Sequence, residues 1–346
     1  MFWKKSICVN LLIMFMVLIC LGGCQSKEPN IQSTTNENTP KEPVIIKMGT
    51  KMSEESIEGQ GFKKFAELVE ERTKGEIIVQ VYPSEQLGDA MTQLDNLQLG
   101  TQDIYCEGAA YLSRYDKDFG VESIPFLFKD HDTKREFYYS EIGQKLSENL
   151  IENGLKIIND KRNFIRGPYN VIVSKKPIKS IEDVKGLRLR TFDSEIYMKA
   201  WDKLGANPIV IAWTEAYLAL KQNTVDAVTA PISLVYNMKF TEVAPYVTTT
   251  NEFRQDVIFI MNNDRFESFT EVQRQIIIDS ANDAGDYVTE QINGFVESEI
   301  ERMKSEHNAE FYEMDTEPFR EILVEFYQEL EDKGEISEGI LGIVFE

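Results

Sequence analysis

Between Ile181 and Pro231 the chain alternates strand-like and helix-like runs: IEDVKGLRLRTFDSEIYMKAWDKLGANPIVIAWTEAYLALKQNTVDAVTAP. Such alternation restricts a chain to an α/β sheet with helices on its faces. Ser180, followed three residues later by Asp183, makes a capping-box-like start, and Gly186 closes that short turn. Leu187 and Leu189 then alternate with Arg188 and Arg190, so a strand sends both leucines to the core and both arginines to the opposite face. Arg190 is the last regular position before Thr191, Phe192 and Asp193 turn the chain. Ligands of open α/β sheets bind beyond the carboxyl ends of the strands, which is where Arg190 projects.

The same grammar starts at Val44. Strands are expected over 44–50, 76–82 and 103–106, helices over 62–72 and 91–99, and this order implies a mainly parallel sheet. A single helix is expected over 133–151, then strands over 155–159 and 170–173. After Pro231 come a helical run to Phe240, strands over 247–250 and 257–261, and one long helical pattern from Thr270 to about Glu306. Its apolar stripe begins at Val272. A helix of that length extends over about 50 Å, more than one small domain needs, so it is expected to span two.

The first 23 residues read as a targeting leader: Lys4 and Lys5, an apolar run from Ile7 to Leu21, then small residues. Leu21-Gly22-Gly23-Cys24 resembles a bacterial lipobox, in which Cys24 is lipidated and anchors the protein to the membrane. Residues 24–43 are polar and almost without large apolar side chains, as expected of a disordered tether. Beyond Cys24 the mature chain retains only Cys106, so no intrachain disulfide is expected and stability must come from the core. A net charge of −21 argues against nucleic acid as a partner, and any anionic ligand needs a local positive contact.

No phosphate loop, dinucleotide fingerprint, nucleophile elbow or His-Glu-x-x-His is present, and no cofactor is expected. The two histidines, His131 and His307, lie far apart among polar neighbours and read as surface residues; Cys106 reads as a core residue.

The runs KGLRLR, LGANP, WTEAYLAL and VDA with a proline five residues past its aspartate resemble the solute-binding subunits of TRAP transporters. GEIIVQVYPSEQLGDAMTQLDNLQLGTQDI, from Gly75 to Ile104, resembles the same family. The similarity runs from about Val44 to near the end. It implies a type II periplasmic-binding-protein-like α/β fold of two domains and a hinge. The expected boundaries are 44–167 plus 256–295 for one domain and 168–255 plus 296–346 for the other. It also implies an organic acid as ligand, TRAP membrane permease subunits as partners, and no catalysis. In the family the arginine closing this motif grips the ligand carboxylate, a role that falls to Arg190. Trp213 stands where an aromatic side chain lies against the ligand, and Asp193 where a polar contact is common. Glu107 and Tyr111 after the third strand and Lys51 after the first are candidates for the facing wall, and Tyr236 is a candidate to close the pocket. Tyr169 and Asn170 stand where many members carry a second arginine, with Arg166 slightly upstream, and Val228-Thr229-Ala230-Pro231 replaces a common Gln-Glu-Asn-Pro ending. Both departures favour a monocarboxylate with an apolar or hydroxylated body. Two other classes fit the same leader: a lipid-anchored sensor and a carbohydrate-active lipoprotein enzyme.

Overall fold

The computed structural model describes residues 42–253 and 255–345; the leader, Cys24 and nearly all of the tether lie outside them. Within the described residues no helix is long and apolar enough to cross a membrane. Eleven strands are present there: β1 (Val44–Thr50), β2 (Ile77–Tyr82), β3 (Ile104–Glu107), β4 (Leu155–Ile157), β5 (Asn170–Ser174), β6 (Arg188–Thr191), β7 (Asn207–Val210), β8 (Ala227–Pro231), β9 (Tyr246–Thr249), β10 (Ile258–Asn262) and β11 (Glu310–Glu313). They form two sheets, ordered β2-β1-β3-β10-β4 and β11-β9-β5-β8-β6-β7.

The parallel expectation holds for β2-β1-β3 and β8-β6-β7, but β10 runs antiparallel to both its neighbours, and so does β5. The reason lies in how the chain changes sheets. It leaves the first sheet after β4 and enters the second at β5, then leaves β9 and returns at β10. The two crossings lie side by side in opposite directions: Ile165 bridges Asp256, Arg166 N donates to Gln255 O, and Val257 N donates to Phe164 O. Strands joined by antiparallel crossings enter their sheets antiparallel.

The expected single helix over 133–151 is two, His131–Tyr139 and Glu141–Glu152. Ser140 ends the first in an extended conformation and caps the second by accepting from Gly143 N at 3.3 Å. A Cβ on Gly143 would lie 2.4 Å from the Tyr138 backbone, so glycine permits the sharp corner.

The long helix is Glu271–His307, 37 residues, opened by a capping box of Thr270 and Gln273 and closed by Asn308 at φ 54°. Its buried stripe starts at Ile277; Val272, expected to open it, is exposed. The first half packs against helix Ile57–Arg72, where a Cβ on Gly61 would come within 2.4 Å of Val288 and 2.6 Å of Phe164. Phe62, Phe65, Phe164 and Phe259 meet there with ring centroids 5.1–5.8 Å apart, fixing the first crossing against the first sheet. Burial of each such ring contributes about 1.5–3 kcal/mol.

Candidate functional site

A cleft opens between the two sheets, beyond the carboxyl ends of β1, β3, β6 and β8, and is lined by residues from both sheets and from both crossings. Arg190 reaches it from the end of β6. Its partner Leu189 is fully buried on the other face, as the alternation requires. Arg190 is 4 % exposed, donates from Nε to Ile211 O at 2.8 Å, and holds its guanidinium 5.3 Å from the centroid of Trp213. Trp213 is itself fixed edge-on against Phe240. Among the described residues no carboxylate lies within ion-pair distance of Arg190. Burial pulls its pKa down, the signature of a cation without a counter-ion.

Every other charged side chain among the described lining residues is matched. Lys51 pairs with Glu107 at 2.8 Å, and Arg166 grips Glu58 through Nε and Nη2 at 2.9 and 3.0 Å while also binding Glu107. On the opposite side Glu122 and Asp256 share Lys134, at 2.5 Å each, and Arg162, at 3.1 and 3.0 Å. Burial alone would raise Glu107, but Arg166 and Lys51 outweigh it and bring it down to about 2. The same contest leaves Asp256 below the usual carboxylate range, held by Arg162 and Lys134. Burial pushes Glu58 up, opposed chiefly by Arg166. Four carboxylates are thus each engaged by a cation, and among the described residues Arg190 is the positive charge left over.

Of the residues singled out from sequence, Arg190, Trp213, Glu107, Tyr111, Lys51 and Asn170 come together on the lining. Lys51 Nζ lies 5.4 Å from the Tyr111 ring centroid and 5.8 Å from that of Trp213, linking the two walls. Tyr169 does not line the cavity; it is half-buried and packs against the apolar core. Asp193 is exposed, because the chain turns outward there to let Ser194 cap helix Glu195–Lys203. Tyr236 is not on the lining either. The helix after Pro231 stops at Val235, and the Tyr236 hydroxyl donates to Glu306 at 2.6 Å while its ring stacks on His307. Arg188 forms a fork with Asp226 at 2.9 and 2.6 Å, and Cys106 is buried in the core. The cavity also uses residues not foreseen: Arg166, Phe192, Thr229, Phe253 and Gln255. Two of these carried a signal: Arg166 as an arginine just upstream of β5, and Thr229 as part of the Val228–Pro231 run that departs from the family's ending.

At the mouth, two hydrogen bonds join the walls: Thr214 Oγ1 donates to Glu85 at 2.7 Å and Ser53 Oγ to Asn237 at 2.9 Å. Behind the wall, Tyr197 links Thr229, at 2.7 Å, to Glu252, at 3.2 Å. Burial raises Glu252 to about 8, against hydrogen bonds from Tyr197 and Thr229. A carboxyl that titrates near 4.5 when exposed and near 8 when folded binds more protons in the native state, so stability falls as pH rises between those values. Glu252→Gln removes that penalty. It is expected to stabilise the protein by a few kcal/mol more at pH 8 than at pH 5, measured by urea unfolding; an equal change at both pH values would contradict it.

Residues 48–333 match the family described as bacterial extracellular solute-binding protein, family 7 (DctP). The 2,3-diketo-L-gulonate-binding periplasmic protein YiaO of Escherichia coli is 28% identical over 278 residues, covering 80% of this chain and 84% of its own length. The C4-dicarboxylate-binding periplasmic protein DctP of Rhodobacter capsulatus is 27% identical over 300 residues, 84% and 88% of the two chains. A TRAP periplasmic solute-binding protein from Ochrobacterium anthropi, solved with bound L-fuconate, superposes with a TM-score of 0.80 at 28% identity, covering 87% of this chain and 98% of that one. These relatives are named as binding proteins rather than enzymes, and the fuconate-bound one shares this chain's fold. On its motifs, its fold and the match over residues 48–333, this chain belongs to the family 7 extracellular solute-binding proteins, the TRAP transporter type.

Proposed function

We propose that this protein captures a hydroxylated monocarboxylate between its two sheets, with the carboxylate on Arg190, and delivers it to TRAP permease subunits. The observation carrying this reading is Arg190 itself: a buried guanidinium, open to a cavity, with no internal carboxylate among the described residues. Its planar fork matches a carboxylate, and each charge-assisted hydrogen bond contributes about 1.5–3 kcal/mol. Among the described residues a second ligand carboxylate would find no second uncommitted cation on the lining, because Lys51 and Arg166 are held by Glu107 and Glu58. The neutral polar lining adds side-chain oxygens from Asn170, Thr229 and Gln255, which suit ligand hydroxyls. The relatives include proteins named for a keto sugar acid and for C4-dicarboxylates, and the charge pairing here favours the former kind.

Residues 44–167 with 256–295 and 168–255 with 296–346 act as two lobes that close by rotation about the paired crossings. Lipid on Cys24 and the tether over 24–43 hold the protein at the outer face of the membrane, in a single-membrane cell. Isothermal titration against aldonates, uronates, small 2-hydroxy acids, succinate and malate tests the ligand class. A hydroxylated monocarboxylate is expected to bind at least tenfold more tightly than either dicarboxylate. Tight binding of succinate or malate, with none of any monocarboxylate, would overturn the reading.

A further inference from the structure

Within the cavity lining, the polar groups without a hydrogen-bond partner among the described residues include the Arg190 guanidinium beyond its Nε and the Gln255 side-chain carbonyl. Arg190 is the carboxylate site already assigned. Gln255 stands apart from it, because it comes from the crossing between β9 and β10, and its Oε1 is buried without a hydrogen bond. A buried acceptor left unpaired is costly, and native structures rarely tolerate one unless a ligand or water completes it.

The position of Gln255 is held from both sides. Its own main-chain carbonyl accepts from Arg166 N at 3.0 Å. The next residue, Asp256, is clamped by Arg162 at 3.0 Å and Lys134 at 2.5 Å and bridges Ile165. Glu107, Glu122 and Asp256 on the same lining each have a cation within ion-pair distance, whereas Gln255 Oε1 has neither an ion-pair nor a hydrogen-bond partner among the described residues. We infer that Gln255 is a specificity-determining residue whose side-chain carbonyl accepts a hydrogen bond from a hydroxyl of the bound acid. This inference rests on the proposed carboxylate site at Arg190 and adds a second fixed point to it. Two points, one on β6 and one on a crossing, orient an acid that Arg190 alone would leave free to swivel. A site built to pair with a hydroxyl also discriminates against the analogue lacking it, since the buried acceptor is then orphaned.

The test uses the intact protein and D-gluconate, D-galactonate and L-fuconate, each with its 2-deoxy and 3-deoxy analogues, titrated against wild type, Gln255→Met, Gln255→Glu and Arg190→Ala. In wild type one deoxy analogue is expected to bind about ten- to a hundredfold more weakly than its parent. In Gln255→Met that preference collapses to under threefold, through loss of affinity for the parent alone. Gln255→Glu keeps an oxygen in place and keeps the preference. Should Gln255→Met fail to fold by circular dichroism, Gln255→Asn, which withdraws the oxygen by one methylene, carries the comparison with the same expected loss. A preference unchanged in Gln255→Met, or equal losses for parent and deoxy acid, overturns the inference while the Arg190 reading stands. Binding of these acids that survives Arg190→Ala undamaged sinks that reading instead, and no aldonate binding to wild type sinks both.

Discussion

Arg190→Ala is expected to lower affinity for the cognate acid by about a hundredfold or more and to leave the fold intact. Two charge-assisted hydrogen bonds at about 1.5–3 kcal/mol each make about 3–6 kcal/mol, or two to four powers of ten in dissociation constant. The fold should survive because Arg190 has one internal hydrogen bond, from Nε to Ile211 O, and no internal ion pair among the described residues. Burial without a counter-ion makes the unliganded arginine a cost to the folded state, so the ligand-free variant should melt no lower than wild type. Arg190→Lys keeps the charge but not the fork, and an intermediate loss is expected. A loss under tenfold in Arg190→Ala, measured by titration calorimetry, would place the carboxylate elsewhere. A large fall in the melting temperature of the free protein would mark Arg190 as structural.

The opposite outcome is expected at Arg166, which lies on the same cavity. Arg166→Met strands Glu58, which is fully buried and whose bidentate cation is Arg166, and it weakens the hold on Glu107. Breaking a buried pair by removing one member costs about 3–5 kcal/mol, since the remaining charge is left uncompensated. For a fold of this size that lowers the melting temperature by roughly 5–8 °C. The deficit should shrink on acidification, because burial already raises Glu58 and a stranded carboxyl takes up a proton more readily still. Arg166→Met combined with Glu58→Leu should recover part of the loss. A melting temperature within 2 °C of wild type in Arg166→Met would show that the pair carries little of the stability. The contrast between two buried arginines, one saturated and one open, separates structure from recognition at a single site.

How much of this was legible in the sequence depends on how local each feature is. The strand and helix alternation, the long helix with its Thr270 cap, and Arg190 at the end of β6 all follow from periodicity and punctuation within a few residues. Antiparallel β5 and β10 were not legible, because their direction is set by two crossings that meet only in three dimensions. Nor was the corner at Ser140, where the apolar pattern continues across a break made by a serine cap and a close-packed glycine. Within the site, Lys51, Glu107 and Tyr111 were reachable because residues just after parallel strands face the cleft. Asp193 and Tyr236 show the limit of that rule: one or two residues beyond a strand or helix end, the turn decides the direction, and here neither residue is on the lining. Arg166 and Gln255 lie on the crossings, where no periodicity operates, and their roles follow from which partners are spent and which are not.

A crystal structure of the protein with the tightest-binding acid from the titration panel addresses the central claim most directly. The ligand carboxylate is expected on the Arg190 fork, with both nitrogen–oxygen distances in the range of about 2.7–2.9 Å, and the body of the acid against Trp213. A carboxylate seated on Lys51 or Arg166, with Arg190 turned to an internal acidic partner, would contradict it.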